Sequence, residues 1–296
     1  MRIRATVAVA TGALALSALA IPAAQAARSD DGRSWSSEIE LPAPKAPFGA
    51  GSGIKGEAGA RSTAQASDIK VFGLLVNGGK PIVVGTKSKQ TISYSMKVTH
   101  ESGVGGAAAF IWVGKDIDKS FGFGPNAKSV SCAASSATLS HCKGTITLDP
   151  ALMINSDAAS WHVGVSAIAN DGTELDHNSL AWAKVQRFSK LTVNASPEPV
   201  KKGKTLTVTG KLTRANWDSA TYKGYATQPV KLQFKKKGAK SYTTVKTVKT
   251  SSTGTLKTTV KAAVDGYWRY SFAGTSTTPA VSAAGDYVDV KVTGKS

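Results

Sequence analysis

The sequence predicts an all-β protein of two tandem immunoglobulin-like β-sandwich domains, and three observations support that expectation. Apolar residues recur at every second position in short segments rich in Val, Ile, Thr and Tyr, the pattern of half-buried strands. Turn signals such as Asn77-Gly78-Gly79 and Asn170-Asp171-Gly172 separate those segments at the spacing of a sandwich. The plan also repeats. Val76-Asn77, a proline and residues 93–99 align with Val193-Asn194, a proline and residues 207–213, with a three-residue slip. Each unit spans about 100–120 residues, long enough to bury its own core.

The chain opens with Arg2 and Arg4, an uncharged Ala-rich run over 5–21, and Ala24-Gln25-Ala26. A basic start, an apolar core and a small-x-small site make residues 1–26 a signal peptide. The protein is therefore expected to be secreted, beginning near Ala27, with no transmembrane segment in the mature chain. Residues 27–67 are rich in Ala, Gly, Ser and Pro, stiff over 41–47 and flexible over 49–53. Trp35 and Phe48 are too isolated there to build a core, so this stretch is expected to be a disordered arm.

The first sandwich is expected over 68–189. Strands read at 69–76 and 81–84, flanking the 77–79 turn, and at 90–99, where Ile92, Tyr94, Met96 and Val98 share one face. A buried strand follows at 107–113, then a Gly-rich loop over 114–128 carrying Phe121 and Phe123. Further strands read at 144–148, 160–169 and 179–187, the last two as a hairpin about Asn170-Asp171-Gly172. Cys132 and Cys142 are the only cysteines. In an exported chain they are expected to form a disulfide, worth about 2.5–3 kcal/mol for so short a loop. A metal pair or a catalytic thiol lacks partners at the needed spacing.

The second sandwich, 190–296, is organised by residues 191–217. A short strand, a Pro-Glu-Pro kink and a Lys-Lys-Gly turn lead into a long strand over 204–214. Leu206, Val208 and Leu212 line one side of it, and Thr205, Thr207, Thr209, Lys211 and Thr213 the other. Strands follow at 228–236, 241–250, 254–262, 267–274 and 286–293. Val230, Leu232 and Phe234 are expected inward, as are Leu256 and Val260, then Trp268, Tyr270 and Phe272, then Val288, Val290 and Val292.

Charge separates the halves. Residues 27–189 hold 16 Lys and Arg against 14 Asp and Glu, whereas residues 190–296 hold 19 against 5, a net +14. That asymmetry suggests a polyanionic partner for the second half. Most lysines alternate outward from both sheets, as a solvated, edge-protecting surface does. The dense exception is Lys235, Lys236, Lys237 and Lys240 at a hairpin tip, with Trp217, Tyr222 and Tyr225 in the 215–227 loop. Aromatic rings near cations can hold sugars or stacked bases. For an exported protein, anionic cell-wall polymers or exopolysaccharide are the expected partners rather than a specific nucleic acid.

Other chemistry is weakly signalled. His100, His141, His162 and His177 are scattered, and no Gly-x-Ser-x-Gly turn is present, so a non-enzymatic protein is expected, with an enzyme of unknown class the last alternative, behind a calcium-binding structural or adhesive protein. The loop 170–178 gathers Asp171, Glu174 and Asp176, the alternative being a calcium site. It lacks EF-hand spacing, and Asp-Gly is an ordinary hairpin choice. No cofactor is expected.

Residues 193–200, 210–217 and 265–275 (Asp-Gly-Tyr-Trp-Arg-Tyr-Ser-Phe-Ala-Gly-Thr) resemble a group of uncharacterised secreted two-domain Ig-like β proteins of Streptomyces and related actinobacteria. The resemblance implies a secreted Ig-like protein. Some members carry a calcium-binding label, with no motif residues to transfer.

Overall fold

The computed structural model describes residues 68–292. The expected signal peptide, the arm and residues 293–296 lie outside the described residues. The first sandwich contains β1 (Lys70–Val76), β2 (Ile82–Val84), β3 (Gln90–Thr99), β4 (Val104–Val113), β5 (Phe121–Phe123), β6 (Ser131–Ala134), β7 (Leu139–Leu148), β8 (Ser160–Ala169) and β9 (Glu174–Arg187). One sheet runs β1-β3-β7-β6 and the other β2-β9-β8-β4-β5. Only β2 pairs in parallel, with β9; the remaining ladders of this domain are antiparallel. This order is that of an immunoglobulin-like sandwich.

The second sandwich contains β10 (Ser189–Leu191), β11 (Asn194–Ser196), β12 (Val200–Lys201), β13 (Thr205–Asn216), β14 (Thr221–Gly224), β15 (Pro229–Lys236), β16 (Thr243–Lys249), β17 (Thr255–Lys261), β18 (Gly266–Phe272), β19 (Val281–Ser282), β20 (Asp286–Val288) and β21 (Val290–Lys291). Here β13 is central to one sheet, paired with β10, β11, β14 and β17, while β16-β15-β18 and β19/β20 form the other. Again the one parallel ladder joins an early short strand to the last, β12 to β21. Among the described residues no helix is long and apolar enough to cross a membrane.

Inward alternation supplies the cores. In β3, Ile92, Tyr94, Met96 and Val98 are buried while their neighbours are not. In β13, Leu206, Val208 and Leu212 are fully covered. Each domain also packs a buried tyrosine against a glycine, Tyr94 against its register partner Gly144 on the next strand of its own sheet and Tyr270 against Gly210 of the other sheet. A Cβ on Gly144 would lie 2.3 Å from the Tyr94 hydroxyl, and one on Gly210 2.8 Å from the Tyr270 ring. Cys132 and Cys142 face each other in register across β6 and β7 and are bonded.

Several sequence expectations need correction. Phe121 and Phe123 lie not in a loop but in β5, both buried, with Phe123 stacked 5.9 Å from the Trp161 ring. The intervening Gly122 and the brevity of the strand hid them. The 191–195 strand divides into β10 and β11, and 286–293 into β20 and β21. Val292 is 73% exposed rather than inward, because pairing stops at Lys291. The 215–227 stretch is a hairpin rather than a loop, with β14 returning antiparallel along β13.

That hairpin joins the two domains. Trp217 is buried within the hydrophobic core of the first sandwich, and its Nε1–H donates to the Gly85 carbonyl at 2.8 Å. Asn155 bonds Asp218 through both its backbone N–H and its side chain, while its Oδ1 accepts from Trp217 N–H. Arg187 is buried where β9 ends and donates from Nε to the Ala215 carbonyl at 2.5 Å. Burial and the nearby Arg214 push its guanidinium pKa down to about 10. Only Phe188 separates β9 from β10, so the connection is too short to act as a linker.

Candidate functional site

The basic face of the second domain is built by outward alternation on β15 and β18. With Val230 and Leu232 of β15 and Trp268, Tyr270 and Phe272 of β18 buried, the intervening Lys231, Gln233, Lys235, Tyr267 and Arg269 are left on the other side. Antiparallel register then sets Gln233 opposite Arg269 and Lys235 opposite Tyr267, and β18 in turn sets Tyr267 opposite Tyr287. Tyr242, just before β16, adds a third phenol.

Cations and rings interleave there. The Arg269 guanidinium lies 3.8 Å from the centre of the Tyr242 ring, and its Nε donates to Gln233 Oε1 at 2.8 Å. Lys235 Nζ sits between two rings, 5.1 Å from Tyr242 and 4.9 Å from Tyr267. Tyr267 and Tyr287 pack at 5.1 Å. The arrangement holds these long side chains in place against the rings.

The hairpin beyond β15 continues the face. Lys237 donates its backbone N–H to the Asp265 carbonyl at 3.0 Å, and its ammonium lies 3.9 Å from the Asp265 carboxylate. The Tyr287 hydroxyl, then Asp265, raise its pKa. The Val290 N–H, first, and the Tyr287 hydroxyl hold the Asp265 carboxyl below its usual value. Among the described residues of this domain, only Lys237 and Lys291 lie within ion-pair distance of a carboxylate. Lys235, Lys236, Lys240 and Arg269 therefore carry charge that no acidic side chain among the described residues neutralises, and Lys236 and Lys240 are exposed.

The structure keeps the four tip lysines on one hairpin but separates them from the aromatics expected beside them. Trp217 is buried at the domain junction. Tyr222 packs on Phe188 and under Lys190 Nζ, 3.7 Å from its ring centre. Tyr225 packs on Phe272 and under Arg214, at 3.8 Å. Tyr242, Tyr267 and Tyr287 take their place. The inward parity of Trp268, Tyr270 and Phe272 leaves Tyr267 and Arg269 outward, but no sequence signal pairs them with Tyr242 or Tyr287.

The three carboxylates of the 170–178 loop do not converge. Asp171 accepts the Thr173 N–H at 2.9 Å and lies 3.8 Å from His100 Nδ1. Glu174 and Asp176 stand exposed on β9, opposite Ile168 and Ser166. Among the described residues no three His, Cys, Asp or Glu side chains gather in a metal-binding group. The loop is a hairpin turn in which Asp171 caps the turn backbone.

No family model matches the chain, and no curated protein matches it. Similar solved structures include the teleost fish polymeric Ig receptor ectodomain, at 13% identity and TM-score 0.23, covering 73% of this chain and 97% of that one. The D00-D0 domain of Intimin is similar at 15% identity and TM-score 0.26, over 73% and 98%. A chimeric titin Z1Z2 is similar at 11% identity and TM-score 0.23, over 78% and 100%. The fold assignment rests on the strand order and pairing described above.

Proposed function

We propose that this protein is a secreted, non-enzymatic interaction module whose second domain binds anionic extracellular polymers, either cell-wall polymers or exopolysaccharide. The observation that supports this reading most directly is the interleaving of Lys235 and Arg269 with Tyr242 and Tyr267 on one sheet face. A purely solvating charge would need no such order. Cations draw the polymer from a distance and release its counterions, and the phenol rings add contact area close in. The disulfide Cys132–Cys142 fits an oxidising compartment.

Full-length mature protein should be retained on anionic wall material at low salt and elute as salt rises. The Debye length shrinks from about 10 Å at 0.1 M to about 3 Å at 1 M. Replacing Lys235, Lys236, Lys237 and Lys240 with Gln should remove more binding than replacing Lys211, Lys223, Lys257 and Lys261. Equal losses would show diffuse charge rather than a site, and salt-insensitive retention would refute the electrostatic basis.

A further inference from the structure

We propose that the outer face of the first sandwich holds a second binding site, built on Trp182, for a neutral pyranose ring of a polysaccharide. It lies on a different domain from the basic face and takes a different ligand class. Register places Trp112, His162 and Trp182 side by side across β4, β8 and β9. Trp112 and His162 stack with ring centres 3.9 Å apart and planes 9° apart, and His162 meets Trp182 at 3.9 Å and 39°. The row grades from dry to wet: Trp112 is 4% exposed and Trp182 62%.

The row is anchored from one side. Between the pairs Val163↔Ala181 and Val165↔His177, β9 uses more residues than β8 and arches outward over 178–180. The arch places the Asn178 carbonyl where Trp112 Nε1–H donates to it at 2.6 Å, and Ser179 Oγ 2.7 Å from His162 Nδ1. With its inner face against His162, the Trp182 indole presents the opposite face to solvent on a rigid sheet. A bulge at a sheet margin is a common device for aiming a side chain.

The size and chemistry of the patch select the occupant. Trp182 and Leu180, the latter 38% exposed, are its large exposed apolar side chains. The indole offers on the order of 150 Å² of free surface, against about 800 Å² per partner in a stable protein interface. That area matches the C–H face of one sugar ring. Exposed neighbours on the same side include Ser160 and Lys184, paired with each other across β8 and β9. Both can donate hydrogen bonds to ring hydroxyls. Stacking on the indole face needs no charge on the ligand, and residues 27–189 as a whole are near neutral.

Mature protein should be passed over insoluble cellulose, chitin and starch at high salt, which silences the basic face. Retention is expected on at least one bed, at least about tenfold weaker for Trp182→Ala, the scale of one lost aromatic stack. Trp182→Tyr should restore most of it, and the tip-lysine Gln variant should bind as the parent does. The matching soluble oligosaccharide should quench the exposed indole fluorescence of the parent but not of Trp182→Ala. An unchanged melting temperature in that variant would exclude misfolding as the cause. No retention on any bed, equal retention by Trp182→Ala, or a concentration-dependent dimer that Trp182→Ala abolishes would each overturn the proposal. Because this binding survives salt and loss of the tip lysines, its failure is separable from failure of the polyanion reading.

Discussion

The two sandwiches share one strand plan and display opposite surfaces. Both join an early short strand in parallel to a final strand, and both bury a tyrosine against a glycine. Outside, the first domain stacks aromatic rings on one another along Trp112, His162 and Trp182. The second stacks them on cations, as Arg269 on Tyr242. In a period-two strand the inward set carries the fold and the outward set is free to vary. Two copies can thus keep one architecture while diverging in what they touch.

The junction offers the hardest test of that division, because Trp217 belongs by sequence to the second domain and by packing to the first. Trp217→Ala should cost the first domain about 3–5 kcal/mol, the usual effect of truncating a buried aromatic. In a calorimetric scan, the first domain's transition should fall while that of the second stays in place. If both fall together, the two cores act as one cooperative unit and the comparison between separate domains fails.

Alkali should act on both domains alike. Burial raises Tyr94 and Tyr270 to about 12 from an ordinary 10.0. Below pH about 10 both phenols are neutral whether the chain is folded or not. Between about 10 and 12 the unfolded chain ionises first, so stability falls by about 2–3 kcal/mol per tyrosine across that window. Urea midpoints followed against pH should show the decline, and Tyr→Phe at either position should remove about half of it. A flat profile would mean that neither phenol is shielded.

The finest distinction lies in the two hydroxyls. Tyr270 donates to the Val208 carbonyl at 2.9 Å. The Tyr94 hydroxyl is buried without a well-formed hydrogen bond, and the Ala109 backbone only partly offsets its burial. Tyr270→Phe should therefore cost about 1 kcal/mol, while Tyr94→Phe should be close to neutral or slightly stabilising. Equilibrium denaturation of the two variants would decide. Equal costs would show that the hydroxyls sit in equivalent surroundings.

Parity is the feature of the fold that the sequence displays most openly. The inward faces of 90–99 and 204–214 follow from alternation alone, because burial on one side leaves a direct imprint on residue choice. Pairing across strands leaves a much fainter imprint, since Lys235 carries no mark of facing Tyr267 rather than another outward residue. Nearness in the chain pointed instead to Trp217, Tyr222 and Tyr225, three rings that the β13–β14 hairpin carries to other partners. Phe121 and Phe123 were hidden for a different reason. A strand of three residues with glycine in the middle offers no period to detect, although both rings are core.

The parallel ladders β2–β9 and β12–β21 bear on how the molecule responds to load. In each domain they join a strand near the entry of the chain to one at its exit. Tension applied at the two ends pulls such a pair along its length in opposite directions. Its hydrogen bonds lie across that direction and are loaded together, instead of opening one at a time from an end as in a peeled hairpin. With the Trp217 contact bracing the junction, a chain tethered at one end and loaded at the other would resist extension until a whole ladder gave way, and would then lengthen in domain-sized steps.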